Sequence, residues 1–205
     1  MSYSHFNLET VKSRFKLNLI RDKALFSNIE PIDPSHLLKQ TLEETVPLAL
    51  AIHTEKARSE MIVAPILIEV RRRLDNRVSL FSGTEFNVDK SQDLNGVCDF
   101  LISLSPEQLT ITAPLISIVE AKNDNIKSGI PQCIAEMVAA KRFNELQAHP
   151  VSEIFGVVTT GSLWLFLRLK GNTIEVDVDE YYLNQVDKIL GILISVIEDA
   201  FAKQK

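Results

Sequence analysis

The run LISIVEAKND, Leu115 to Asp124, opens with four apolar residues in five and then turns charged at Glu120 and Lys122. A segment of that composition belongs inside a sheet. Strand side chains alternate between faces, so Glu120 and Lys122 project from the same side, about 6.6 Å apart along the chain. By the same alternation Ile116 and Ile118 precede them on that face. The pair is therefore expected at the end of the sheet, where core gives way to a crevice and α/β sheets commonly bind ligands. The run before it, GVCDFLISLS, buries Asp99 among apolar neighbours. An unpaired carboxylate there costs several kcal/mol or loses its charge, so something must hold it. A divalent cation would do so, because carboxylates on adjacent strands are hard oxygen ligands suited to Mg²⁺ or Mn²⁺. Two plainer arrangements stay open: a solvated Glu120–Lys122 ion pair, and Asp99 accepting backbone N–H bonds at a turn.

Other segments fill in the architecture. Phe15, Leu17 and Leu19 alternate with polar residues as in a short half-buried strand. Ser35 is a candidate N-cap for a helical region from Leu37 to Leu74. Pro47 and Pro65 interrupt that region, which predicts two helices or a kink near Pro65. RVSLFSGTEFNVD reads as one strand, or as two around Ser82-Gly83. Ser128 to Leu146 reads as an amphipathic helix, with Pro131 in its first turn. EIFGVVTT and LWLFLRL flank the hairpin signal Gly161-Ser162, and TIEVDVD follows as another strand. A closing helix carries Val186, Ile189, Leu190, Leu193, Ile194 and Ile197 on one stripe, a core face or a dimer seam. The sum is a mixed α/β (α+β) domain on one central sheet flanked by helices.

Length and balance fit this. At 205 residues, 45% hydrophobic and 24% charged, the chain suits a single domain with a full core. Cys98 and Cys133 match no metal-ligand spacing and are expected as reduced core residues, which implies a cytoplasmic protein. The N-terminal residues show no signal-peptide pattern, and no apolar run is long enough to span a membrane. A net charge of -5 argues against coating nucleic acid through bulk charge, though not against a local cleft. His5, His36, His53 and His149 lack ligand spacing. Arg71 to Arg73 and Lys141-Arg142 are either phosphate-tracking residues or solvated helix faces.

Taken in order, Asp99, then Glu120-Ala121-Lys122 after a 20-residue gap, then a helix, resembles the PD-(D/E)XK nuclease superfamily, whose core runs helix, three strands, helix, strand. Gln132 matches the glutamine often found on the helix after the third strand. TEKARSEMIVAPIL resembles the opening helix of nuclease domains in type I restriction subunits, with Glu55 and Pro65 at the matching spacing. Thr54, Arg58 and Leu67 fit around them. Glu60 is a rival to Glu55, since the two stand roughly 140° apart on a regular helix. FGVVTTGSLWLFLRL resembles the strand-turn-strand that follows. The resemblance covers about 48–169, leaving an N-terminal extension 1–47 and a C-terminal strand and helix 170–205. Cys98 stands where the superfamily's name has proline.

The resemblance implies Mg²⁺- or Mn²⁺-dependent hydrolysis of nucleic acid, expected to be DNA, leaving a 5′-phosphate. One or two ions would be held by Asp99, Glu120, the Ala121 carbonyl and Glu55. Lys122 would assist the attacking water and Gln132 would position one or the other. The acidic chain shows no helix-turn-helix or zinc module, so structure-specific cutting or a partner subunit that supplies target choice is expected, and a homodimer would let two sites face two strands. The alternative is a catalytically silent protein of the same fold that binds nucleic acid or serves as a subunit of a restriction or DNA-processing system.

Overall fold

The first two α-helices open on side-chain caps. Asn7 Oδ1 accepts from the Thr10 amide at 2.8 Å and Ser35 Oγ accepts from the Leu38 amide at 3.2 Å. Each satisfies a donor that a first helical turn leaves free. These helices are α1 (Leu8–Phe15) and α2 (His36–Ile52) in the computed structural model, which describes residues 2–204. Phe15 ends α1, and Lys16 turns the chain at φ 53°. The early strand is therefore only β1 (Asn18–Ile20), shorter than the alternation from Phe15 predicts.

Pro47 lies inside α2 without ending it; the break between helices comes at His53, φ 56°, and not near Pro65. From Glu55 the chain is helical without a break through α3 (Glu55–Arg58), a π-helical turn (Ser59–Val63) and α4 (Ala64–Arg73), with Pro65 just after the π-helical turn. Then come β2 (Ser79–Glu85), β3 (Val97–Ser103), β4 (Leu115–Ala121) and α5 (Ile126–Leu146). β2 is one strand that continues through Gly83, at φ 61°. The chain closes with β5 (Glu153–Thr159), β6 (Leu163–Lys170), β7 (Thr173–Val176), β8 (Tyr181–Tyr182) and α6 (Val186–Ala202). No helix among the described residues is long and apolar enough to cross a membrane.

All eight strands join one mixed sheet in the order β1-β7-β6-β5-β4-β3-β2, with β8 beside β6. β4 and β5 are parallel, so α5 must cross over between them. One sheet face packs on α4 and α6 through Ile66, Val70, Phe100, Val119, Trp164 and Leu193. The other packs on α1 and α5 through Val11, Leu101, Ile118, Ile134, Val158 and Leu167. The α6 stripe belongs to this core: Ile189, Leu190, Leu193 and Ile197 are all buried within the chain.

Two local features aim the strands. A register shift sets Ile102 opposite Ser117 but Ser103 opposite Leu115. The bulge sends Ile116 to the α6 side with Val119, while Leu115 and Ile118 face α5. Ile116 therefore does not share the Glu120 face that unbroken alternation assigned to it. At Gly156 of β5, a Cβ would stand 2.5 Å from Met137 Sδ and 2.9 Å from Cys133 Sγ. Only the missing side chain lets α5 lie this close to the sheet.

Candidate active site

The β3–β4 ladder ends at the pair Phe100 and Val119, one residue short of Asp99 and Glu120. Here β3 and β4 begin to part. The Ala121 N–H donates to Asp99 Oδ2 at 2.7 Å, so a side chain takes the hydrogen bond. On the other edge the Lys122 N–H donates to the Thr159 carbonyl at 2.7 Å, which keeps β4 joined to β5. The sheet thus opens on the β3 side, with Asp99, Glu120 and Lys122 at the opening. Of the plainer arrangements, the backbone bond to Asp99 is present. The Glu120–Lys122 pair also forms, but it is not solvated.

Glu120 is 1% exposed. Its Oε1 pairs with Lys122 Nζ, while Oε2 is buried and has no hydrogen-bond partner. Lys122 Nζ lies 3.5 Å from Gln132 Oε1 and 4.0 Å from Glu55 Oε2. Gln132 Nε2 in turn donates to Glu136 Oε1 at 3.1 Å. The structure therefore brings together Asp99, Glu120, Lys122, Gln132 and Glu55, and adds Glu136.

Glu55 prevails over Glu60 for a visible reason. Thr54 caps α3, its Oγ1 accepting from the Ala57 amide at 3.1 Å, which holds Glu55 in the first turn towards Lys122. Glu60 lies in the π-helical turn and pairs with Lys56 at 2.7 Å on the exposed surface. Arg58, one turn beyond Glu55, is buried and donates to the Thr160 carbonyl at 3.0 Å and to Ser162 Oγ at 3.3 Å. It fastens α3 to the β5–β6 turn beside the site.

Electrostatics follow from crowding. Burial, and next the Asp99 charge, push Glu120 up to about 8 against the pull of Lys122. Burial raises Asp99 as well, opposed by the Ala121 N–H. Burial and Glu120 hold Glu136 well above the ordinary carboxylate range. For Lys122 burial acts downward, but Glu120, Glu55 and Asp99 outweigh it, so its pKa is raised and the ammonium is retained.

This donor set fits a hard divalent cation. Glu120 Oε2 is orphaned, Asp99 bonds the neighbouring Ala121 N–H, and burial raises both carboxyl groups, a cost a cation would relieve. Among the described residues, no three His, Cys, Asp or Glu side chains gather as one ligand group. Glu55 is directed at Lys122 instead of completing such a group. Two carboxylates with backbone and water oxygens making up the rest is an arrangement Mg²⁺ commonly accepts.

Glu136 is the participant the sequence reading missed. The signal was present: an acid inside CIAEMVAA, apolar on both sides, four residues after Gln132 and so on the same helix face. The candidate phosphate-tracking residues are engaged elsewhere. Arg72 and Arg73 bond Glu69 at 3.0 and 2.9 Å, and Arg71 bonds the Val78 carbonyl at 3.1 Å. Lys141 bonds the Gly171 carbonyl at 2.9 Å and Arg142 pairs with Asp89 at 2.7 Å. Cys98 and Cys133 are both free and buried. Comparison of the chain with protein-family models, with curated proteins and with solved structures returns no match.

Proposed function

We propose that this protein is a metal-dependent nuclease of the PD-(D/E)XK type that hydrolyses phosphodiester bonds in DNA. One observation carries the reading: Asp99, Glu120 and Lys122 converge where β3 parts from β4, with a buried carboxylate oxygen of Glu120 left without a partner. Asp99, Glu120 and the Ala121 carbonyl would hold Mg²⁺ or Mn²⁺. Bound there, the ion supplies Lewis acidity to a phosphodiester and acidifies a water. Lys122 hydrogen-bonds the attacking water and offsets charge developing on the phosphoryl oxygens. Glu55 and Gln132 steer the ammonium, each from its own helix.

The test is cleavage of single- and double-stranded DNA with Mg²⁺ or Mn²⁺, with and without chelator. Asp99→Ala and Lys122→Ala should each lower the rate about 100-fold or more. Intact substrate with every metal and strand form tried would remove the proposal.

A second reading draws on the ion pair itself. Lys122 occupies Glu120 Oε1, and a permanent pairing of that kind suits a catalytically silent protein that binds nucleic acid or serves as a subunit of a restriction or DNA-processing system. Titration calorimetry separates the two. Mn²⁺ uptake that disappears in Asp99→Ala supports the enzyme, and no uptake supports the silent protein.

A further inference from the structure

Behind the lysine lies an acid that takes no part in the chemistry above. Glu136 is fully buried on α5, with one oxygen accepting from Gln132 Nε2 at 3.1 Å and the other without a partner. The carboxamide of Gln132 has two ends of nearly equal size, one a donor and one an acceptor, so hydrogen bonding alone decides which faces the lysine. Glu136 takes the NH₂ end. The carbonyl end is then turned to Lys122 Nζ, 3.5 Å away. Were the amide reversed, its NH₂ would confront an ammonium, two donors with no acceptor between them.

The surroundings hold this chain still. A Cβ on Gly129 would stand 2.6 Å from Val158 Cγ1 and 3.0 Å from Lys122 Cγ, so α5 and the lysine stem are in contact. Gly156 brings the next turn of α5 equally close, through Cys133 and Met137. Gln132 and Glu136 lie between these contacts, with Glu136 fully enclosed.

We infer that Glu136 is the positioning residue of this site: by fixing the orientation of the Gln132 amide it holds the Lys122 ammonium in place for the attacking water. The inference rests on the nuclease reading for its catalytic consequence, but its structural half is independent of it.

Two measurements keep these apart. In the metal-free protein, nitrogen-15 NMR of lysine ammonium groups reads Lys122 directly. Glu136→Gln retains a carbonyl to accept from Gln132 and should leave the Lys122 resonance near its original place. Glu136→Met removes the acceptor and should move it, to about where Gln132→Met does. In cleavage assays Glu136→Met should lower kcat about 10-fold with KM unchanged, and Glu136→Gln should recover most of the loss. The double substitution with Gln132→Met should be no worse than either single change. An unmoved Lys122 resonance in folded Glu136→Met overturns the inference, and so does a folded Glu136→Gln as impaired as Glu136→Met. If Glu136→Met does not fold, nuclear Overhauser contacts of the Gln132 NH₂ protons in the unaltered protein decide: contact with Glu136 upholds the inference, and contact with the Lys122 ε-protons overturns it. Should the unaltered protein cleave nothing, the nuclease reading fails while the Lys122 resonance still decides the positioning.

Discussion

Glu69 shows how much one side chain can organise. Its carboxylate accepts from the Ser35 amide at 3.1 Å, Ser35 Oγ at 2.9 Å, Arg72 at 3.0 Å and Arg73 at 2.9 Å. Those bonds join the start of α2 to α4 and so support the helix carrying Glu55. Burial raises the Glu69 carboxyl, but Arg73 and Ser35 outweigh burial and hold its pKa below the usual value. A depressed carboxyl stabilises the fold fully above its unfolded pKa, and that stability is lost as pH falls through the folded one. Glu69→Gln is expected to cost about 2–3 kcal/mol at pH 7. The deficit should shrink as the medium is acidified below about pH 4, the unfolded range of a glutamate. Urea melts across pH check this, and a deficit independent of pH would contradict the assignment. At the candidate site the same contest of burial against partners ends the other way. Glu120 has one lysine against burial and a second acid, and its pKa is raised.

At the scale of elements, the site depends on α5 lying flat on the sheet. Gly129 and Gly156 permit that contact, the first against Val158 and Lys122, the second against Met137 and Cys133. Gly129→Ala should destabilise the protein by about 1–3 kcal/mol through overpacking, since Val158 Cγ1 stands 2.6 Å from the new carbon. Thermal melts measure this, and the same variant should shift the Lys122 ammonium resonance. The bulge between β3 and β4 is the second device. It swings Ile116 to the far face and leaves Ile118 and Glu120 towards α5. On the opposite side, Glu55 is turned to Lys122 while Glu60, in the π-helical turn, pairs with Lys56 at the surface.

Across the whole molecule, the arginine side chains are spent on the protein itself. Every arginine contacts a protein group: Arg14 and Arg21 bond Asp93 and Asp177, Arg77 lies over Phe201, and Arg168 pairs with Glu175. Arg58, Arg71, Arg72, Arg73 and Arg142 are engaged as described above. With a net charge of -5 and every arginine engaged, the chain offers little bulk attraction for a phosphate backbone. Binding of DNA without divalent metal should therefore be weak, with a slope of log affinity against log salt of about -2 to -3, as for two or three phosphate contacts. Fluorescence anisotropy over a salt series gives that slope, and a much steeper value would reveal a basic surface that this charge pairing does not offer. α6 binds the assembly together from the other face. Leu193→Ala there should cost about 2–5 kcal/mol in denaturant melts by opening a core cavity.

Features that depend on neighbours in the chain were legible without coordinates. The two-residue strand period put Glu120 and Lys122 on one face, Ser35 announced α2, and Gly161-Ser162 announced the β5–β6 hairpin. Side-chain geometry alternates locally, and caps and turns are chosen by the residues that make them. Tertiary contact decided the rest: Glu55 over Glu60, the recruitment of Glu136, the inward use of the arginines and the face of Ile116. Each of these depends on how helices dock and where a ladder slips, and those positions are set by packing between segments far apart in sequence.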